Sequence, residues 1–143
     1  MKVSQISVFL ENKSGRLAEV AKLLADNGIN IRALSIADTS DFGILRLIVD
    51  NPEKAAAVLR DSGLAVSLTD VIAVLMKDKP GGLSEVVQIL SEANINIEYM
   101  YAFVTRSDEQ AVVVLRVEQL DKAIAALVFH GTKLLTGEDL YRI

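Results

Sequence analysis

A chain of 143 residues, 51% apolar and 24% charged, is long enough for one ordinary domain or two small ones and apolar enough to fold rather than stay disordered. Fifteen basic and 19 acidic residues give a net charge of -4 with no basic stripe, which excludes a nucleic-acid backbone as partner. There is no cysteine, which removes disulfides, thiolate metal sites and thiol nucleophiles.

In chain order, Val3, Ile6, Val8 and Leu10 suggest a strand. The N-terminal MKVSQISVFL lacks the unbroken apolar core of a signal peptide, and no stretch reaches the roughly 18 to 20 apolar residues of a membrane span. A cytoplasmic protein without membrane contact is therefore expected. Leu17, Val20, Ala21 and Leu24 recur at i, i+3, i+4 and i+7, one face of a helix, which Asn27-Gly28 should stop because Gly28 can turn left-handed. Ile29 to Ala37 reads as a strand, Thr39-Ser40-Asp41 as a turn, and Gly43 to Val49 as the hairpin partner. Pro52 opens a second helix with Ala55, Val58 and Leu59 on its apolar side. Leu64, Val66 and Leu68 form a strand that runs into Val71, Ile72, Val74 and Met76 with no flexible linker.

From there the pattern repeats. Shifted by 66 positions, the segment from Val8 to Ile31 shows ten identities in 24 pairs, including Lys13 with Lys79, Gly15 with Gly81, Leu17 with Leu83, and Ile29-Asn30-Ile31 with Ile95-Asn96-Ile97. Farther on the shift becomes 68, pairing Leu47 with Leu115 and Leu59 with Leu127. The period is too long for a solenoid repeat, so each copy should be a small domain, over residues 1–70 and 71–143. The order strand, helix, strand, strand, helix, strand is the split βαβ unit. The predicted fold is α+β: two ferredoxin-like βαββαβ units in tandem, each an antiparallel sheet with its helices on one face. Open sheet edges and abundant apolar residues point to a homodimer. The tail from Asp139 to Ile143 reads as one more strand.

The two first loops stand out. Ser14 can cap the first helix of copy one, while in copy two Pro80 fixes the helix start and Gly81-Gly82 leaves N–H groups uncovered. Bare amides at a helix start attract an anion such as a carboxylate. Asn12, Asp78, Asn30 and Asn96 offer acceptors to an ammonium. Glycine, serine and proline are also ordinary turn residues, but Asn30 and Asn96 each sit between isoleucines at a strand start, where asparagine is a poor β-former.

Asp78-x-Pro80-Gly81-x-Leu83, followed after a helix by Ile95-Asn96-Ile97, resembles the ACT domain, and the resemblance covers essentially the whole chain. It implies an amino-acid-binding regulatory protein built as a stand-alone ACT pair, its effector lying between two ACT units. Carried over, it implicates Asn12, Lys13, Ser14, Gly15, Arg16 and Leu17 with Asn96 and Ile97, and Asp78, Lys79, Pro80, Gly81, Gly82 and Leu83 with Asn30 and Ile31. The N–H groups of Gly15, Arg16, Gly81 and Gly82 would take the carboxylate. Copy one departs from the motif, with Asn12 for the aspartate and Ser14 for the proline.

The partners expected are an amino acid, a second copy of the chain and a metabolic enzyme under its control; no catalytic, metal or cofactor site is predicted. Two rivals remain. One is a ligand-free dimerisation or docking module. The other is an acylphosphatase-like enzyme using Arg16, although Gly82 takes that position in copy two. The single histidine, His130, reads as a helix-end residue, and Tyr99, Tyr101 and Phe103 share one strand face.

Overall fold

The structure is a computed structural model that describes residues 1–11, 13–38, 41–103 and 109–142. The chain divides into two compact units, Ser4–Thr69, and Met1–Val3 with Asp70–Ile143. The first contains β1 (Val3–Glu11), α1 (Arg16–Asp26), β2 (Ile31–Asp38), β3 (Phe42–Val49) and α2 (Pro52–Asp61). β4 (Ala65–Lys77) runs through the boundary between Thr69 and Asp70, so the last strand of one unit continues unbroken as the first strand of the next. The second unit goes on with α3 (Gly82–Glu92), β5 (Ile97–Ala102), β6 (Gln110–Val117), α4 (Leu120–Phe129), β7 (Lys133–Leu135) and α5 (Gly137–Arg142). Each unit is a ferredoxin-like βαββαβ fold. The strands lie in the order β2-β3-β1-β4 in the first; in the second, β4 is flanked by β6 and β7, with β5 outside β6.

Alternation along the strands decides which face is buried. In the first unit Ile6, Val8 and Leu10 of β1 and Leu45, Leu47 and Val49 of β3 meet Val20 and Leu24 of α1 and Ala55 and Leu59 of α2. The second core repeats this with Ile72, Val74, Leu115, Val117, Val86, Leu90, Ala123 and Leu127. Burying one such leucine contributes about 1.5–3 kcal/mol.

The helix ends follow their residues. Gly28 takes φ 71°, and Gly28 N–H and Ile29 N–H donate back to the carbonyls of Ala25 and Leu24. Asn94 does the same work at φ 57°, with Ile95 N–H on the Leu90 carbonyl. α2 starts with Pro52 behind Asn51, whose side-chain oxygen accepts from Lys54 N–H at 3.2 Å.

Two expectations are corrected. The tail is helical, not a strand: Thr136 and Asp139 form a reciprocal capping box, Thr136 N–H to Asp139 Oδ2 at 2.9 Å and Asp139 N–H to Thr136 Oγ1 at 3.2 Å, which starts α5. Hydrogen bonds to the carboxyl from Thr136, its backbone N–H first and its side chain second, hold Asp139 below its usual range. Ser14 does not cap α1. The N-cap is Gly15 at φ 88°, with no side-chain cap. Thr39 and Ser40, of the expected turn, lie outside the described residues. Among the described residues no helix is long and apolar enough to cross a membrane.

Candidate functional site

Both first loops end in the same backbone device. Gly15 and Gly81 stand immediately before their helices at φ 88° and 89°, a left-handed conformation that costs an L-residue roughly 1–2 kcal/mol. The turn closes with Arg16 N–H on the Lys13 carbonyl at 3.3 Å and Gly82 N–H on the Lys79 carbonyl at 3.0 Å. Two amides assigned to a carboxylate are thus held by the loop itself. One turn further, Glu19 N–H and Glu85 N–H bond the carbonyls of Gly15 and Gly81, both at 3.0 Å. Between these closures lie Leu17 and Ala18 in one unit, and Leu83 and Ser84 in the other, whose N–H groups have no protein acceptor among the described residues. These are the open amides of each helix start.

Gly82 has a separate reason to be glycine. It is buried, and a Cβ there would overlap the Lys77 carbonyl oxygen. The same position in the first loop is Arg16, which reaches Glu19 Oε2 at 3.0 Å. Lys13 Nζ likewise meets Glu11 Oε2 at 2.8 Å, and Lys13 pulls the Glu11 carboxyl below its ordinary value. In the second loop, Lys77 and Lys79 form no ion pair among the described residues, and Asp78 N–H extends the ladder to the Glu109 carbonyl at 2.8 Å. Asn12 lies outside the described residues.

The strand-start residues are also duplicated in geometry. Asn30 N–H donates to Asp50 Oδ1 at 3.0 Å and its carbonyl accepts from Asp50 N–H at 3.2 Å. Asn96 Nδ2 reaches Glu118 Oε1 at 3.5 Å, and its carbonyl accepts from Glu118 N–H at 3.4 Å. Ile31 and Ile97 open β2 and β5, and an irregularity in register follows each, between Ile31 and Ala33 and between Ile97 and Tyr99. Within one unit, loop and asparagine are not brought together. They sit at opposite ends of an 11-residue helix, roughly 16 Å long.

Cavities open beside these residues. One of about 140 Å³ lies under the first loop, lined by Leu10, Glu11, Lys13, Arg16, Leu17, Ile36, Gly43 and Leu45. A wider one of about 590 Å³ borders the second loop at Lys77, Asp78, Lys79, Glu109 and Gln110. Another, about 440 Å³, includes Asn94, Asn96 and Ile97.

Reading the sequence missed Asp50 and Glu118, although they recur at the 68-residue shift as matched acids after β3 and β6. It also missed a cavity of about 340 Å³ between the first turn of α3 and the end of α4, where Gly82, Glu85 and Ile89 face His130 and Thr132. His130 itself follows α4 with Nδ1 2.9 Å from the Ala126 carbonyl oxygen. Among the described residues no cluster of three or more His, Cys, Asp or Glu side chains is placed to hold a metal.

The fold and these loops can be set beside known proteins. The crystal structure of protein BT0572 from Bacteroides thetaiotaomicron is 45% identical with a TM-score of 0.94, over 100% of this chain and 98% of that one. The ligand-free regulatory subunit of aspartate kinase from Thermus thermophilus superposes with a TM-score of 0.66 at 20% identity, over 87% of this chain and 89% of that one. The corresponding subunit from Thermus flavus gives 0.61 at 19% identity, with the same coverage. No curated protein sequence matches the chain. The family model described as an ACT domain pair matches residues 1–143, and the chain belongs to that family.

Proposed function

We propose that this protein is a non-catalytic regulatory module that binds a free amino acid at the strand-to-helix loops of its ACT units, and so controls a metabolic enzyme in the cytoplasm. The observation that carries this reading is the twice-built turn at Gly15 and Gly81, which presents the open amides of Leu17 and Ala18, and of Leu83 and Ser84, at a helix start. An α-carboxylate there gains about 0.3–1 kcal/mol from the helix dipole and about 1.5–3 kcal/mol from each charge-assisted hydrogen bond. Asn12 to Leu17 and Asp78 to Leu83 are the anchoring loops, while Asn30, Ile31, Asn96 and Ile97 belong to the ammonium side. Those two sets stand at opposite ends of α1 and of α3, so each loop needs its complement from another unit.

Thermal denaturation with each of the twenty standard amino acids tests the reading. A ligand at 100 times its Kd stabilises the fold by about 2.7 kcal/mol. At roughly 2–4 °C per kcal/mol for a chain of this size, at least one amino acid should raise Tm by about 5 °C or more, saturably. Absence of a saturable rise with any of them rejects it.

A ligand-free association module is the second reading, favoured by Phe9, Leu34, Ile36 and Phe42, which are large apolar residues exposed on the first unit. It predicts a homodimer by sedimentation whose mass and stability ignore every amino acid.

A further inference from the structure

We infer that the first unit selects an amino acid with a large apolar side chain, which enters the cavity beneath its loop; this rests on the amino-acid reading above. Gly43, which lines this cavity, supplies no side chain on the helix-facing side of β3. Gly43 pairs with Leu10, and two residues on Leu45 pairs with Val8 and with Ile36, so Leu10, Gly43, Leu45 and Ile36 share one face.

Leu10 and Leu45 are buried at the floor, 7% and 1% exposed. Leu17 and Ile36 stand at the mouth, 42% and 46% exposed. Lys13, Glu11 and Arg16 complete the lining, and their charges are matched by the Lys13–Glu11 and Arg16–Glu19 ion pairs. Among the described residues the floor therefore offers an incoming side chain carbon, and the charged groups of the lining already stand in ion pairs. The volume, about 140 Å³, is close to the roughly 150 Å³ of an aliphatic cavity able to hold a benzene ring. A leucine, isoleucine or phenylalanine side chain fits; a serine would leave most of the space empty, and an aspartate would lose its water and gain a partner only by displacing Glu11 from Lys13 or Glu19 from Arg16.

Leu17 both lines this cavity and carries one of the open amides, so a carboxylate on the loop and a side chain below it can belong to one molecule. The second unit has Met76 where the first has Leu10, and Ala111 where the first has Gly43, which puts more side-chain volume in the corresponding place.

Calorimetric titration with leucine, phenylalanine, serine and aspartate tests this on the wild-type chain, on Gly43→Val and on Ala111→Val. Leucine and phenylalanine should bind at least tenfold more tightly than serine and aspartate. Gly43→Val should weaken leucine binding to the first unit more than tenfold, and Ala111→Val should leave that binding unchanged. If Gly43→Val does not fold, Ile36→Ser at the exposed mouth should show the same loss of preference. Equal or tighter binding of serine or aspartate, or a leucine affinity untouched by these variants, overturns the inference while leaving amino-acid binding intact. Failure of any amino acid to bind overturns both.

Discussion

The two first loops share a backbone and differ in where they put their charges. In the first, Lys13 is paired with Glu11 and Arg16 with Glu19, so the loop neutralises itself. In the second, Lys77 replaces that glutamate and Gly82 that arginine, and the two lysines flank Asp78 without ion pairs among the described residues. Two sequences reach one turn geometry because Gly15 and Gly81 fix it. The rest of each loop is then free to diverge. Duplicated backbone with diverged side chains is what two related sites of different preference require.

The largest effect that separates the loops should come from Gly82→Ala. Its methyl group would run into the Lys77 carbonyl, and overpacking of this kind costs typically 1–3 kcal/mol. Arg16→Ala at the matching position should cost within about 0.5 kcal/mol, since it removes only a solvent-facing pair. Chemical denaturation of both variants measures the gap, and equal losses would break the comparison.

Next come Gly15→Ala and Gly81→Ala, where the two loops should agree. Each forces an L-residue to φ near 90° and should lose roughly 1–2 kcal/mol. Unequal losses would mean that the loops do not share their turn.

A smaller contrast lies at the second helices. Asn51→Ala removes the side-chain cap of α2 and should cost about 1 kcal/mol, whereas Gln119, which makes no cap bond at the start of α4, should tolerate alanine.

The smallest effect is electrostatic. The folded Glu11 carboxyl titrates below its ordinary value because of Lys13, so its pairing helps stability above the unfolded carboxyl range. That help is lost as pH falls through the lower folded value. NMR titration should find the Glu11 midpoint depressed in the wild type and raised toward normal in Lys13→Ala.

Much of the architecture was legible because periodicity and punctuation agree. Ile6, Val8 and Leu10 alternate, Leu17 to Leu24 follow helical spacing, and Gly28 and Asn94 end their helices left-handed as their residue types suggest. The 66-residue repeat carried the reading from one unit to the other. What misled was local competition. Thr136 and Asp139 cap one another and so start a helix in a tail that, by its place after the second copy, reads as a strand. Ser14 was a plausible cap, but Gly15 at φ 88° takes the N-cap position.

At the site, the loop residues were visible as a motif, while the fate of individual amides was not. Hydrogen bonds within the turn claim Arg16 and Gly82, and among the described residues the open donors are Leu17, Ala18, Leu83 and Ser84. Asp50 and Glu118 escaped notice because each meets its asparagine only through strand pairing about 20 residues away. The cavity at Gly43 is lined by residues of β1, the first loop, α1, β2 and β3, a set that no motif announces.

The most direct measurement is an amide-resolved NMR titration of the full chain with a pool of the twenty standard amino acids at millimolar concentration. The account predicts saturable shifts centred on the amides of Leu17 and Ala18, of Leu83 and Ser84, or of both pairs. A spectrum in which those four stay still, whether or not signals move elsewhere, would contradict it.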